Sequence, residues 1–282
     1  MNLYASLEDL KSSGVLNITA TTNDVALLNC LEESSRQIDK DTDRFFYIYE
    51  TTFYQDGGAN RVILDWDVQS ITTLKTDEDG DGVWENTFNL TTTSPDAFLY
   101  PMNEYPKTRL EINPYGDYGS FGAGTRKAIE ITGVFGYGND WPKGYTLNTG
   151  ITASTAIAST ATSFVATAST IETGMTLRIT SSEQAYVSQV VSTTVTIQRA
   201  VNGTSAIAMP TTETVYVYTY PKPIAKACLI HATRIYKRRE SAYQNEVGNP
   251  ELGTVTVWKG ADPDYANVVK KYKKVKREWF IT

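Results

Sequence analysis

From Thr22 to Phe46 the chain runs without a Gly or Pro, and Leu28, Leu31, Ser35, Ile38, Thr42 and Phe45 recur along it at alternating three- and four-residue spacing. That period belongs to one stripe of an α-helix, so it predicts a long amphipathic helix over these residues. Glu32, Glu33, Arg36, Asp39, Lys40 and Asp43 fall on the opposite side, as a solvated face requires. Upstream, Leu7-Glu8-Asp9-Leu10 predicts a short helix capped by Ser6 and stopped by Gly14.

After Phe46 the period changes. Tyr47 to Tyr54, Arg61 to Leu64, Ser70 to Leu74, Phe98 to Tyr100, Arg109 to Ile112 and Ala128 to Gly138 are β-branched and aromatic runs separated by Gly and Asp clusters, with Trp141-Pro142 closing the series. They predict a compact antiparallel sheet. Near Tyr145 the composition turns to Thr, Ser and Ala and stays so to about Met209, with charge confined to Glu172, Arg178, Glu183 and Arg199. Alternation in Met175 to Thr180, Tyr186 to Val190, Thr194 to Gln198 and Val215 to Tyr218 predicts a separate β module. The portion from Ile151 to Thr170 reads equally as strands or as a flexible linker. Pro221-Lys222-Pro223 returns the chain to helix from Ile224 to Tyr243, with Ile224, Cys228, His231 and Ile235 on one stripe. Gly248-Asn249-Pro250 breaks the chain, Thr254 to Trp258 predicts an extended arm, and Asp262-Pro263 opens a last helix running to about Trp279 with Asp262 as its cap.

A length of 282 residues predicts two domains. With a charged fraction of 21% and no apolar run long enough for a membrane span, a soluble protein is expected. No basic-then-apolar leader follows Met1, so folding in the cytosol where it is made is expected. The residue inventory disfavours catalysis. His231 is the single histidine, while triads, zinc sites and most proton shuttles lean on imidazole. His231 is expected instead as a hydrogen-bonded core residue, and Cys30 and Cys228, each on an apolar helical stripe, as buried thiols. Gly133, Gly136 and Gly138 lack dinucleotide-fingerprint spacing, and no nucleophile-elbow, phosphate-loop or HExxH motif occurs. Neither an enzyme nor a cofactor is expected.

One motif imitates a metal site. Asp77-Glu78-Asp79-Gly80-Asp81-Gly82 sets carboxylates at positions 1, 3 and 5 and glycine at 6 of a calcium loop, making Asp77, Asp79 and Asp81 weak calcium candidates. Position 12 is Phe88 where a bidentate Glu belongs, and the flanks are strand-like, so a hairpin turn accounts for the same residues. A calcium-dependent hydrolase would need this loop and a carboxylate pair that no pattern selects.

Charge is unevenly placed. Lys270, Lys271, Lys273, Lys274, Lys276 and Arg277 make the last thirteen residues strongly basic, leaving the other 269 at a net −11. With Tyr272, Trp279, Phe280 and Ile281 interleaved, this segment reads as a solvated helix, as a dock for an acidic protein surface or as a phosphate contact.

Taken in order, Leu7 to Lys11, Leu31 to Asp39, Thr42-Asp43-Arg44-Phe45-Phe46, Val68 to Leu74, Phe98 to Asn103 with Tyr105-Pro106, Gly133 to Tyr137 and the Pro-led helix from Ile224 to Tyr243 resemble the head-to-tail adaptor (connector) proteins of tailed phages. The stretch between resembles a small β module of virion proteins, in Gly174 to Leu177, Glu183, Val187, Val195 to Arg199 and Asn202-Gly203-Thr204. The resemblance implies an α+β chain: an α-helical bundle adaptor core with antiparallel β elaboration over 1–146 and 221–253, an inserted all-β domain over 147–220, and a C-terminal docking arm and basic helix over 254–282. It implies a virion-neck location and a ring, a dodecamer, beneath the portal protein. Such a ring extends the channel through which packaged double-stranded DNA passes and carries the next neck or tail protein, with no membrane partner. Lys270, Lys271, Tyr272, Lys273, Lys274, Lys276, Arg277, Trp279, Phe280 and Ile281 become the expected portal-docking residues. The alternative from another class is a peripheral adhesin that binds carbohydrate through the inserted module. Against it, Phe164 and Tyr186 are the only aromatics between Ile151 and Met209 available for sugar stacking.

Overall fold

The computed structural model describes residues 2–139, 146–147, 151–167, 170–180, 182–211, 214–240, 246–249, 253–256 and 260–274. In chain order the elements are α1 (Leu7–Lys11), α2 (Asp24–Thr42), β1 (Tyr49–Gln55), β2 (Arg61–Thr76), β3 (Asn86–Phe88), β4 (Ala97–Tyr100), β5 (Lys107–Ile112), β6 (Ile129–Phe135), β7 (Thr146–Leu147), β8 (Ile151–Thr152), β9 (Ser163–Val165), β10 (Thr176–Ile179), β11 (Glu183–Val191), β12 (Thr194–Gln198), β13 (Thr214–Thr219), α3 (Lys222–Glu240), β14 (Glu246–Asn249), β15 (Gly253–Thr256) and α4 (Pro263–Tyr272). Two compact units result. One holds residues 1–43, 147–201 and 205–282; the other holds 44–146 and 202–204.

The expected helical-bundle core is not what the chain forms. Antiparallel sheets of six and seven strands make up most of the described structure, and the helices number four among the described residues. The physical reason lies in the run lengths. Two helices of 19 residues and two of 5 and 10 offer few apolar stripes, whereas the β-branched runs supply two separate cores of their own. The helices group with the second sheet and not with the first in the division into compact units.

In the unit of 44–146, the strand order is β1-β6-β2-β5-β4, with β3 pairing β2. The two runs expected as separate strands, Arg61 to Leu64 and Ser70 to Leu74, belong to the single 16-residue β2. Bulges between Ile63 and Val68, Val68 and Ser70, and Ile71 and Thr73 let this strand pair first with β5 and then with β6. Val62, Leu64, Leu74, Leu110, Phe121, Ile129, Ile131 and Phe135 form the core. Gly133 sits where β1, β6 and β2 crowd: a Cβ there would lie 2.2 Å from the Ser70 carbonyl oxygen. Asn202 belongs to this unit, its carbonyl accepting from the Glu50 amide at 2.9 Å.

In the other unit, the seven-stranded sheet runs β7-β13-β10-β11-β12-β9, with β8 pairing β13. The portion from Ile151 to Thr170 contributes the strands β8 and β9, and Ile151, Ile157 and Phe164 enter the module's core. The helices α2 and α3 approach closely because small polar residues face the contact. Ser34 Oγ donates to the Cys228 carbonyl at 2.9 Å, and Ser35 Oγ, bonded back to Leu31 O, lies 3.4 Å from Cys228 Sγ. Cys30 and Cys228 are buried free thiols, as expected.

Helix ends differ in detail from the sequence expectation. Ser6 caps α1 by accepting from Asp9 N at 3.0 Å, but the helix stops at Ser12 and not at Gly14. The long helix ends at Thr42 and not Phe46, because Asp43 takes the left-handed conformation at φ 55° and the Arg44 guanidinium turns to the buried Asp67 carboxylate at 2.9 Å. Gly248 and Asn249, expected as a break, lie in β14, which pairs with β15. The last helix ends at Tyr272, short of the expected Trp279; residues 275–282 lie outside the described ones.

Candidate functional site

Asp262 positions the C-terminal basic segment. Its Oδ1 accepts from Asp264 N at 2.9 Å and Tyr265 N at 3.3 Å, and Pro263 supplies a pre-set first turn for α4. Tyr265 anchors the helix. It is buried, its hydroxyl donates to Asp41 at 2.8 Å, and its ring stacks on His231 at 5.0 Å. Burial, and then the Asp41 carboxylate, push the Tyr265 phenol far above its ordinary range. Lys226 and Arg234 on α3 lie 3.5 and 3.9 Å from Asp264 and Asp262. After α4, Lys274 N donates to Thr42 O at 2.7 Å and ties the chain to the end of α2.

On this anchored helix Lys270 and Lys271 are exposed, as is Lys273 just beyond it, while Tyr272 is half-buried with its phenol pushed up by that burial. The lysines cluster at the carboxyl end of α4, where unsatisfied carbonyls favour positive charge. Lys276, Arg277, Trp279, Phe280 and Ile281 lie outside the described residues.

The Asp77 loop is a hairpin joining β2 to β3, with Thr76 paired to Asn86 and with Gly80 and Gly82 at φ 82° and 89°. Asp77 is buried. Its two carboxylate oxygens accept from Gly80 N at 2.6 Å and Gly82 N at 2.9 Å, and Asp79 and Asp81 accept from Asp81 N and Val83 N. Sequence reading missed Glu85. The hairpin brings it back across from Asp77, and its Oε2 accepts from Glu78 N at 3.0 Å. Its signal is the ninth place of the loop, which the calcium-loop template uses, often through water, whereas the bidentate carboxylate is sought at the twelfth. Asp77, Asp79, Asp81 and Glu85 each offer an oxygen within 4.8 Å of the others, the ligand type a hard cation takes. The backbone amides account for much of the same acceptor capacity, so the turn is complete as a hydrogen-bonded structure.

His231 is half-buried against Tyr265, and its Nδ1 has no hydrogen-bond partner among the described residues. It is thus a stacked histidine and not the hydrogen-bonded one expected, with its pKa lowered first by burial. In the inserted module Phe164 and Tyr186 are both buried, so neither offers an exposed stacking platform.

A concave region of about 770 Å³ opens elsewhere, in the unit of 44–146, between the outer face of β4, β5 and the start of β2 and the loop from Pro114 to Gly119. No pattern in the sequence pointed to it. Compared with family models, with curated proteins and with solved structures, the chain matches none.

Proposed function

We propose that this chain is a structural subunit of a tailed-phage neck, a head-to-tail adaptor. In this reading it assembles as a ring, a dodecamer, beneath the portal, extends the DNA channel and presents a platform to the next neck or tail protein. The observation that carries the reading is α4: a capped helix, held through Tyr265 and Asp41, that presents exposed lysines and leads into a basic, aromatic C-terminal segment. An anchored helix ending in such a segment suits docking onto an acidic partner, since the anchor limits the entropy lost on binding. The net −11 of the remaining chain also suits a channel past which DNA must slide without adhering.

The test mixes the full chain, and a version ending at Lys274, with purified portal and images both by electron microscopy. The shorter chain keeps α4 and its contacts, so its loss of binding would not reflect unfolding. An added ring with the full chain alone is the expected result. A ring with both removes the docking role of Lys276, Arg277, Trp279, Phe280 and Ile281, and a ring with neither removes the adaptor reading.

A further inference from the structure

The cavity in the unit of 44–146 is built from strand register. Arg61, Glu111 and Phe98 lie side by side across β2, β5 and β4, and Ile63, Arg109 and Tyr100 form the next row on the same face. The alternate residues Val62 and Leu110 point into the core, which commits the first set outward. Glu111 Oε1 lies 2.8 Å from Arg61 Nη2 and 2.9 Å from Arg109 Nε, and the Arg109 guanidinium covers the Tyr100 ring at 4.8 Å.

The facing wall is preformed. Buried Asp96 accepts from Asn89 N at 2.7 Å and Asp117 N at 3.0 Å, and Asn113 donates to Pro95 O at 2.6 Å while accepting from Tyr115 N at 3.1 Å. Gly116 packs so tightly that a Cβ would meet Asp96 Cα at 2.8 Å. A wall tied at this many points loses little freedom when a ligand arrives.

Three lining side chains retain hydrogen-bonding capacity: the Asn60 side-chain amide, the Tyr100 hydroxyl and the Asp117 carboxylate make no hydrogen bond to any described residue, while the Asn60 main-chain carbonyl accepts from Ile112 N at 2.9 Å. Phe98, Ile112 and Tyr118 add apolar surface beside them. Arg61 in the groove and Arg109 beside it, both paired with Glu111, are set against Glu111 and Asp117, so neither an anion nor a cation is favoured. Rings beside mixed donors and acceptors, in a volume within the roughly 300–1,000 Å³ of small-molecule sites, suit a molecule with apolar C–H faces and many hydroxyls.

We propose that this groove binds a neutral oligosaccharide. The inference goes beyond the adaptor reading and does not depend on it. The test titrates the full chain, by calorimetry and ligand-observed NMR, with neutral trisaccharides of glucose, galactose, mannose and N-acetylglucosamine. Glucose 6-phosphate and a tyrosine-containing tripeptide serve as the charged and peptide probes. At least one neutral trisaccharide should bind. Tyr100→Ala and Asp117→Asn should each weaken it by about tenfold or more, the scale of one lost ring contact or charge-assisted hydrogen bond. Asp117 is exposed on its loop, so its variant guards against a Tyr100 variant that fails to fold. Binding by none of the neutral sugars, binding unchanged in the Asp117 variant, or tighter binding of the phosphate or the peptide overturns the proposal.

Discussion

At the scale of the residue, three positions carry predictable weight. Gly133 has no room for a side chain between the Ser70 carbonyl oxygen at 2.2 Å and Ile71 Cα at 3.0 Å, so Gly133→Ala should cost about 1–3 kcal/mol, read as a lower denaturant midpoint. Glu183 is fully buried, with both oxygens 2.5 Å from the Arg199 guanidinium, which also donates to the Ala158 and Ile207 carbonyls. Arg199→Met leaves that carboxylate without its counter-charge and should cost about 3–5 kcal/mol by equilibrium unfolding. Asp39 accepts from the Tyr4 hydroxyl and pairs with Arg36 at 3.0 Å, yet burial outweighs both and raises its pKa to about 6. Asp39 is therefore more protonated in the folded protein than in the unfolded chain between about pH 4 and 6, and its contribution to stability falls as pH rises through that window, by about 3 kcal/mol. Asp39→Asn should flatten that segment of the stability curve, and an unchanged slope would exclude Asp39 as its source. Glu183 and Arg199 stand out in the sequence as rare charges in a Thr/Ser-rich stretch, but their pairing does not, because it depends on where β11 and β12 end.

At the scale of the element, turn chemistry was legible and length was less so. The Asp and Gly pattern at 77–82 announces a hairpin, and the hairpin is there, held by Asp77. Asp77→Ala strips two amides of their acceptor and should cost about 1–3 kcal/mol, with faster hydrogen exchange at Gly80 and Gly82 as its local signature. The cap on the last helix was equally visible at Asp262-Pro263, since capping needs only local atoms. What holds α4 in place was not visible, because Tyr265, His231 and Asp41 come from three separate helices. Tyr265→Ala should accelerate exchange across Pro263–Tyr272 while α2 keeps its protection; equal exchange in the variant and the unaltered chain would mean another contact anchors α4. The end of α2 shows the opposite failure. Phe45 continues the helical stripe in sequence, yet Asp43 leaves the helix and Phe45 joins the apolar surface around Phe135 and its neighbours in the first sheet's core.

At the scale of the whole molecule, a chain read as a helical bundle with β additions is built mainly from two large antiparallel sheets, one of them grouped with the helices, and a two-stranded one among the described residues. The adaptor proposal therefore rests on α4 and the charge distribution and not on a bundle. Sequence by itself determined the elements whose causes are local: the stripe from Leu31 to Thr42, the alternation of β12 and β13, the Asp77 hairpin, the caps at Ser6 and Asp262, and the burial of both cysteines. Tertiary structure alone decided which strands became neighbours, that β2 would run unbroken through three bulges, that Glu85 would return beside Asp77, and that Arg61, Glu111 and Phe98 would form one row from three strands. The physical reason is range. Periodicity and capping are satisfied within a few residues, whereas strand pairing and cavity lining are chosen by burial between segments tens of residues apart, which no local pattern encodes.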